Sequence, residues 1–333
     1  MQHASNPKVS IVILNWNNFR DTTRCIESAL SCGYRHLEVI VVDNSSTDGS
    51  VERIASQFPG LQIVRNESNL GFSRGCNRGI QAALKDPQCR FVLLLNNDCT
   101  LQPGGLVLAV RAMTRSSDIG VVTGKVYFGD GSRRIWHAGG RVSLFAGQAV
   151  ARGFREIDIG QFDNESDTGW ASGAMMLVSR EVLAKVGMLP EEYFFGVEEW
   201  DYSLAVLRNG FRIRYVPTFV GFHSGGGSHH NHDPKFVYNY YRNKLIFQQR
   251  QLGTFLFYLW LIPFRTYLNL RMRRHVQRIV WDSYPDEHIE IDDVVFAAQR
   301  ALGDHGKNRL SESTMLEFDA TLKAWKDQVR PSS

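Results

Sequence analysis

The chain has 333 residues, 43% of them hydrophobic, which is enough for a folded core and for about two domains of ~150 residues. The formal net charge of +4 is mild and gives no reason to expect a nucleic-acid partner. Five scattered cysteines without a Cys-x-x-Cys pair argue against a disulfide framework and a structural zinc site. The opening residues, MQHASNPKVS, lack the apolar stretch of a signal peptide, so we expect a cytoplasmic protein.

The amino-terminal part of the chain alternates short apolar runs with amphipathic stretches. The apolar runs lie at residues 9–14, 37–43, 61–66 and 91–96. Between them, stretches of about 10–15 residues have the spacing of amphipathic helices. Runs of this kind are typical of strands that are buried on both faces of a parallel sheet. The pattern therefore predicts successive βαβ units.

The pattern changes beyond these units. Glycines multiply over residues 121–162, which predicts hairpins and an irregular excursion of the sheet. Helix signals return after Ser179, a candidate N-cap, and again over residues 198–209, where Gly210 supplies the stop. A further strand is predicted over residues 211–217. The last part of the chain reads as two amphipathic helices.

Polar side chains follow three of the predicted strands. Asn15, Asn17 and Asn18 follow the first, residues 43–50 follow the second, and residues 96–98 (Asn-Asn-Asp) follow the fourth. Such residues commonly form turns, because short polar side chains hydrogen-bond their own backbone. Parallel sheets also bind ligands at the carboxyl ends of their strands, where a carboxylate is well placed to hold a metal or a phosphate-bearing substrate. These residues alone leave both interpretations open.

Five sequence segments occur in a characteristic order. They are VSIVILNWNN, VIVVDNSSTDGS, NESNLGFSRGCNRGI, FVLLLNNDCTLQPG and the long run from GWASGAMML to GFHSGGGS, which together span about residues 8–228. In these motifs the chain resembles the family 2 glycosyltransferases of GT-A fold, most of all their bacterial rhamnosyltransferase-like branch. The resemblance implies an α/β fold with a mixed, mostly parallel sheet between helices. We place that domain at residues 1–230 and a helical C-terminal extension at residues 231–333.

The resemblance also implies a site for a nucleotide-diphosphate sugar and a divalent metal. Asp98 matches the last position of the family's Asp-x-Asp motif, which ligates the metal, and His223 matches a histidine that completes the metal shell in some members. Asn96 and Asn97 replace the earlier motif positions, which puts metal affinity in doubt, although Mg²⁺ and Mn²⁺ accept amide or water oxygens beside one carboxylate. The residues expected to bind the donor are Asn15, Asp43, Asn69, Gly71 and Asn97.

The acidic pair Glu198 and Glu199 matches the block that supplies the family's catalytic base. Glu199 occupies the base position, where Asp is more usual. Because Glu is one methylene longer, the register is slightly open and Glu198 is the reserve candidate. Without the resemblance, both are ordinary first-turn acids that stabilise a helix N-terminus. As the base, Glu199 would take the proton of an acceptor hydroxyl while that oxygen attacks the anomeric carbon from the opposite face, which implies inversion.

The rhamnosyltransferase-like branch implies dTDP-rhamnose as the donor, with UDP-hexoses or UDP-galactofuranose as alternatives. The acceptor would be a saccharide or a lipid-linked sugar in bacterial cell-surface polysaccharide synthesis. A catalytically inactive relative that only binds a sugar nucleotide, or scaffolds a membrane assembly, is the alternative that the Asn-Asn-Asp motif keeps open. A metal-dependent nucleotidyltransferase is disfavoured, because its glycine-rich, lysine-bearing amino-terminal loop is missing.

Positive charge is concentrated between residues 235 and 281, which contain nine Lys or Arg residues and no Asp or Glu. Residues 253–275 contain an apolar aromatic run of about eleven residues, which is broken by Pro263 and Arg265 and closed by arginines. That run is too short for the ~20 apolar residues of a spanning helix. We expect an interfacial helix on an anionic leaflet, peripheral on the inner face of the cytoplasmic membrane; the alternative is a helix buried on the catalytic domain. The residues expected at the bilayer surface are Phe255, Phe257, Trp260, Phe264, Arg271, Arg273 and Arg274.

Overall fold

The computed structural model describes residues 6–224, 233–274, 277, 290–304 and 312–329. The chain divides into two compact units. The sheet unit contains Met1–Ser143, Ala149–Glu191 and Glu198–Gly227, and the helical unit contains Leu144–Gln148, Glu192–Val197 and Ser228–Ser333. Two short segments that precede the predicted boundary at residue 230 therefore belong to the helical unit.

The sheet unit begins with the alternating strands and helices that the sequence predicts. Its elements are β1 (Lys8–Asn15), α1 (Phe19–Leu30), β2 (Leu37–Asp43), α2 (Ser50–Gln57), β3 (Gln62–Arg65), α3 (Gly71–Leu84), β4 (Cys89–Asn96), β5 (Cys99–Leu101), α4 (Gly105–Thr114), β6 (Ile119–Phe128), β7 (Ile135–His137), β8 (Gly140–Ser143), β9 (Gln148–Ala151), β10 (Ser166–Thr168), β11 (Met175–Ser179), α5 (Arg180–Lys185), α6 (Glu198–Arg208) and β12 (Arg212–His223). The predicted N-cap is confirmed, because Ser179 Oγ accepts a hydrogen bond from the Val182 amide.

The main sheet has the strand order β10-β12-β6-β11-β4-β1-β2-β3. The pairs β4-β1, β1-β2, β2-β3 and β12-β6 are parallel. β11 is antiparallel to both β4 and β6, and β10 is antiparallel to β12. The sheet is therefore mixed and mostly parallel, and the carboxyl ends of β1, β2 and β4 lie at one edge of it, as polar strand ends predict.

Both faces of the sheet are buried. Ile11 and Ile13 of β1 belong to one hydrophobic core, whereas Val12 between them belongs to the core on the opposite face. This two-sided burial explains why the strands read as continuous apolar runs. Helix α3 packs closely on the second face: a Cβ added at Gly79 would lie 2.3 Å from Val12 Cγ1. The glycines of α3 thus have a packing role that the sequence alone does not reveal.

The prediction of hairpins and an irregular excursion of the sheet over residues 121–162 is wrong at β6, which is a central strand of the sheet. The glycine content of this region led to the wrong prediction. A Cβ at Gly124 would lie 1.8 Å from the Phe219 carbonyl oxygen, so this glycine allows β12 to approach β6 and does not mark a turn. Short strands β7, β8 and β9 follow, as expected of a hairpin region.

The helical unit contains α7 (Pro234–Leu270), α8 (Ile291–Gly303) and α9 (Glu312–Val329) within the described residues. α7 bends at Gly253, whose backbone is non-helical. After the bend, Phe257, Leu261, Phe264 and Leu268 point into the core that α7 shares with α8 and α9. No helix in the described ranges is long and apolar enough to cross a membrane.

The burial of α7 corrects the set of side chains expected at a membrane. Phe257 and Phe264 are buried, so the expectation that these two insert into a bilayer is wrong. Trp260 is partly buried, and its insertion stays a prediction. Phe255 remains exposed, as expected. The error arises because α7 is apolar on both faces after its bend, so helical periodicity cannot show which face packs on the core.

Candidate glycosyltransferase site

The carboxyl ends of β1 and β2 bring Asn15 and Asp43 side by side. These two residues pair in the parallel register, and Asn15 Nδ2 donates to Asp43 Oδ1 at 2.9 Å. The Ser46 amide donates to Asp43 Oδ2 at 3.1 Å, and the Asp43 side chain is almost completely buried. Thr22 Oγ1 of α1 donates to Asn15 Oδ1. The predicted nucleotide-facing pair is therefore held rigidly by its neighbours.

Asn44, which follows β2, hydrogen-bonds the loop that contains Asn69 and Gly71. The sequence analysis did not single out Asn44. Asn44 Nδ2 donates to Asn69 Oδ1 at 2.8 Å, and Asn44 Oδ1 accepts from the Leu70 amide. The Gly71 amide also donates to Asn69 Oδ1, at 2.9 Å. That amide is therefore engaged within the loop. Asn44 follows Asp43 directly, and its short amide side chain is the sequence feature that could have indicated its role in holding this loop.

At the end of β4, Asp98 and His223 come together. Asp98 Oδ1 lies 3.1 Å from His223 Nε2, and Asn96 Nδ2 lies 3.3 Å from the same nitrogen. The pairing of β5 with β12 places them there, since His223 is opposite Cys99, the residue after Asp98. The side chain of Asn97 donates to Thr22 Oγ1, which in turn donates to Asn15 Oδ1. Thr22 therefore connects the Asn-Asn-Asp segment to Asn15.

The residues around Asp98 fit a hard divalent cation. The Asn96 side-chain amide lies beside the imidazole that contacts the Asp98 carboxylate, and its Oδ1 atom is buried without a hydrogen-bond partner in the described chain. Carboxylate and amide oxygens are the ligands that Mg²⁺ and Mn²⁺ accept, usually with water and substrate phosphates. Across the described ranges no three His, Cys, Asp or Glu side chains form a metal cluster. An ion here would therefore need the amide, water or a ligand to complete its shell.

Glu199 lies in the first turn of α6, next to the end of β4. A Cβ at Gly173 would lie 3.9 Å from Glu199 Cβ, and the carbonyl of the following Ala174 accepts from the Asn96 amide. Burial raises the pKa of the Glu199 carboxyl to about 7, although side-chain hydrogen bonds with Trp200 and Glu198 lower it in part. Glu198 is the more deeply buried of the two acids, at 3% exposure.

Trp136 is a site residue that the sequence analysis missed. Its ring lies over the His223 imidazole, with centroids 4.5 Å apart and an angle of 47° between the planes. The neighbouring His137 is fully buried against Trp170, and burial lowers its pKa to about 3, so it is neutral. Both residues come from β7 in the glycine-rich region, where no periodicity or motif marks them.

Known proteins identify the family. The model of glycosyl transferase family 2 matches residues 10–187. The N-acetylglucosaminyl-diphospho-decaprenol L-rhamnosyltransferase of Mycobacterium tuberculosis is 24% identical over 268 residues, 73% of this chain and 83% of that protein. A low-salt glycan biosynthesis hexosyltransferase of Haloferax volcanii is 24% identical over 229 residues, 67% of this chain and 69% of that protein.

Two solved structures share the fold. A mannosyltransferase from Pyrobaculum calidifontis, in complex with GDP-Man and Mn²⁺, superimposes with a TM-score of 0.53 at 17% identity, covering 97% of this chain and 82% of that one. GalNAc-T7 with UDP, GalNAc and Mn²⁺ gives a TM-score of 0.57 at 14% identity, covering 98% of this chain and 58% of that one. The mixed sheet, its polar strand ends and these likenesses agree: the chain belongs to glycosyl transferase family 2 and has the GT-A fold.

Proposed function

We propose that this glycosyltransferase moves a sugar from a nucleotide-diphosphate donor to an acceptor hydroxyl with inversion, and that Glu199 is the catalytic base. The observation that carries the proposal is the raised pKa of Glu199, about 7, at a position beside the end of β4. A carboxylate with a pKa near the working pH is ionised often enough to accept a proton and basic enough to hold it. Glu198 is the reserve candidate.

The donor nucleotide would bind where β1 and β2 end. Asp43 has two of its carboxylate lone pairs engaged, by Asn15 and by the Ser46 amide, which leaves others for the hydroxyl or imino groups of a ribose or base. Asn69 and Asn97 border this region through their bonds to Asn44 and Thr22. These side chains are already fixed by hydrogen bonds, so little conformational entropy would be lost when the donor binds.

Asp98, His223 and Asn96 would hold Mg²⁺ or Mn²⁺ beside the donor diphosphate. The mannosyltransferase structure, which contains Mn²⁺ together with GDP-Man, supports this assignment. When bound, such an ion offsets the charge that develops on the diphosphate leaving group. The chain's own part is orientation: the β5-β12 pairing holds His223 against Asp98, and the Trp136 ring covers the imidazole.

The favoured donor is dTDP-rhamnose and the favoured acceptor a lipid-linked or other saccharide, since the Mycobacterium tuberculosis relative is an L-rhamnosyltransferase that acts on a diphospho-decaprenol. UDP-hexoses and UDP-galactofuranose are the alternatives. The reaction is tested by incubating the protein with each donor and a saccharide acceptor and determining the anomeric configuration of the product by NMR. We expect a product opposite in configuration to its donor. A retained configuration would contradict the role of Glu199.

The pH dependence of kcat/KM should show the ionisation of the Glu199 carboxyl. Because the base acts in its ionised form and its pKa is raised to about 7, activity should rise with pH up to that value and level off above it. Below it, activity should fall about tenfold per pH unit. A pH–rate profile between pH 5 and pH 9 measures this. An acid limb at the ordinary glutamate pKa would show that another group is the base.

The helical unit would place the protein on an anionic membrane surface in the cytoplasm. The outer face of α7 beyond its bend is apolar, with Phe255 75% and Ile262 65% exposed. In the same unit, Trp260 Nε1 donates to the Phe145 carbonyl, which holds a loop whose Phe145 side chain is 93% exposed. The exposed Arg271 and Arg274 follow directly after the end of α7 at Leu270. Apolar insertion beside basic residues fits a bilayer with anionic lipids.

Replacing Arg271 and Arg274 with Ser should weaken binding to phosphatidylglycerol vesicles roughly 30-fold, because each basic residue near the surface contributes about 1 kcal/mol. Replacing Phe255 and Ile262 with Ser should also release the protein. Co-sedimentation at rising salt measures both effects. Leu316→Ser, which removes an exposed apolar side chain from α9, is the matched control. Vesicle binding that is unchanged by salt, by the arginine substitutions and by the Phe255 and Ile262 substitutions would contradict the membrane contact.

A further inference from the structure

A groove of about 580 Å³ lies between α1 and α2 in the sheet unit, and three arginines line it. Arg20 and Arg24 come from α1, and Arg53 comes from α2; the other lining residues are Phe19, Thr23 and Gln57. No carboxylate lines the groove. Within the described chain none of the three arginines forms an ion pair. None of the lining residues belongs to the donor, metal or base residues described above.

The placement of these charges is unfavourable in the absence of a ligand. Arg20 lies in the first turn of α1, where the helix dipole is already positive, and Arg24 follows one turn later on the same face. The acids nearest in the sequence have other partners: Asp21 accepts from Asn18 Nδ2, and Glu52 pairs with Arg65. Glu27 accepts from Nε2 of Gln57, which itself lines the groove. The groove therefore combines three guanidinium charges with a positive helix terminus, and a bound anion would relieve their repulsion.

One further contact orients a guanidinium group at the groove. The Arg53 guanidinium lies 3.6 Å from the centroid of the Phe19 ring, and such stacking fixes the guanidinium plane while its N–H edge stays free.

We infer that this groove binds a phosphate group, separately from the donor site. Phosphate oxygens accept paired hydrogen bonds from guanidinium groups, and Arg20, Arg24 and Arg53 are the exposed guanidinium donors that line the groove. The phosphate belongs either to a soluble phosphate ester or to a lipid headgroup. This inference goes beyond the sugar transfer proposed above and does not depend on it.

Isothermal titration of the full chain with pyrophosphate, in EDTA so that the donor site has no metal, tests the inference. We expect the double variant Arg24→Ser/Arg53→Ser to bind at least about tenfold more weakly than the wild type, because each arginine supplies charge-assisted hydrogen bonds. Arg78→Ser, which removes an exposed arginine from α3, is the control and should bind as the wild type does. Asp98→Ala should also leave this binding unchanged.

Phosphatidylglycerol vesicles distinguish the two sources of phosphate. If the double variant loses vesicle binding, and pyrophosphate displaces the wild type from vesicles, the ligand is a headgroup. If the double variant loses pyrophosphate binding alone, the ligand is soluble. Three results overturn the inference: unchanged binding of both probes by the double variant, an equal loss in Arg78→Ser, or loss of pyrophosphate binding in Asp98→Ala with the double variant unaffected.

Discussion

Glu199→Gln should lower kcat about 10²–10⁴-fold and leave donor affinity unchanged, because the substitution removes the proposed general base and keeps the size of the side chain. Steady-state kinetics and donor titration measure the two quantities separately. Glu198→Gln is the matched comparison, since it makes the same change one residue away. If Glu198→Gln is inactive and Glu199→Gln stays active, Glu198 is the base and the register of the acidic pair is off by one.

Thermal unfolding provides a control that does not depend on activity. Because burial raises the pKa of Glu199 above its ordinary value of 4.5, its ionisation destabilises the folded state, and this cost grows as pH rises from 4.5 to about 7. Gln carries no such cost. Glu199→Gln should therefore be more stable than the wild type at pH 8, by roughly 3 kcal/mol at 1.36 kcal/mol per pKa unit. At pH 5 the two proteins should differ little. Equal stability at pH 8 would show that Glu199 is not desolvated.

Asp98→Ala should abolish the metal-dependent part of donor binding, a loss of about 100-fold or more in affinity, because it removes the only carboxylate of the proposed ligand set. Titration of the donor in Mn²⁺ and in EDTA measures the effect. The variant should remain folded, since Asp98 follows a strand end outside the two sheet cores.

Asp327→Asn is the control for this loss, because it removes an exposed acid from α9. It should bind donor and Mn²⁺ as the wild type does. Donor affinity in Mn²⁺ that is the same in Asp98→Ala and the wild type would remove Asp98 from the metal site. His223→Ala would then show whether the imidazole binds the ion alone.

Much of the fold could be predicted because β1, β2 and β4 are buried on both faces and therefore appear as uninterrupted apolar runs. β6 could not, because the glycine at position 124 was needed for the close approach of β12, a contact between residues far apart in sequence. The outer and inner faces of α7 were likewise confused, since both carry large apolar side chains and only tertiary packing distinguishes them.

The sequence predicts Asp43 and Asp98 at strand ends, and the structure has Asp43 as the last residue of β2 and Asp98 just after β4. Their roles in binding the donor and the metal stay predictions. The partners that hold those residues were less visible. The side-chain amide of Asn44 holds its loop by donating one hydrogen bond and accepting another. Trp136 reaches His223 only because β7 pairs with β6, which lies beside β12. Neither role follows from local sequence, because each depends on contacts between separate segments.

The donor site is tested most directly by equilibrium binding of dTDP-rhamnose, UDP-hexoses and UDP-galactofuranose in Mn²⁺ and in EDTA, followed by release of the nucleoside diphosphate. We expect at least one donor to bind about tenfold or more tightly in Mn²⁺, since the ion contributes to its diphosphate contacts. Glu199→Gln should keep that binding and release almost no product. Two results would contradict a metal-dependent sugar transferase with Glu199 as its base. One is that Mn²⁺ changes the affinity for none of the donors, and the other is that Glu199→Gln releases the nucleoside diphosphate at the wild-type rate.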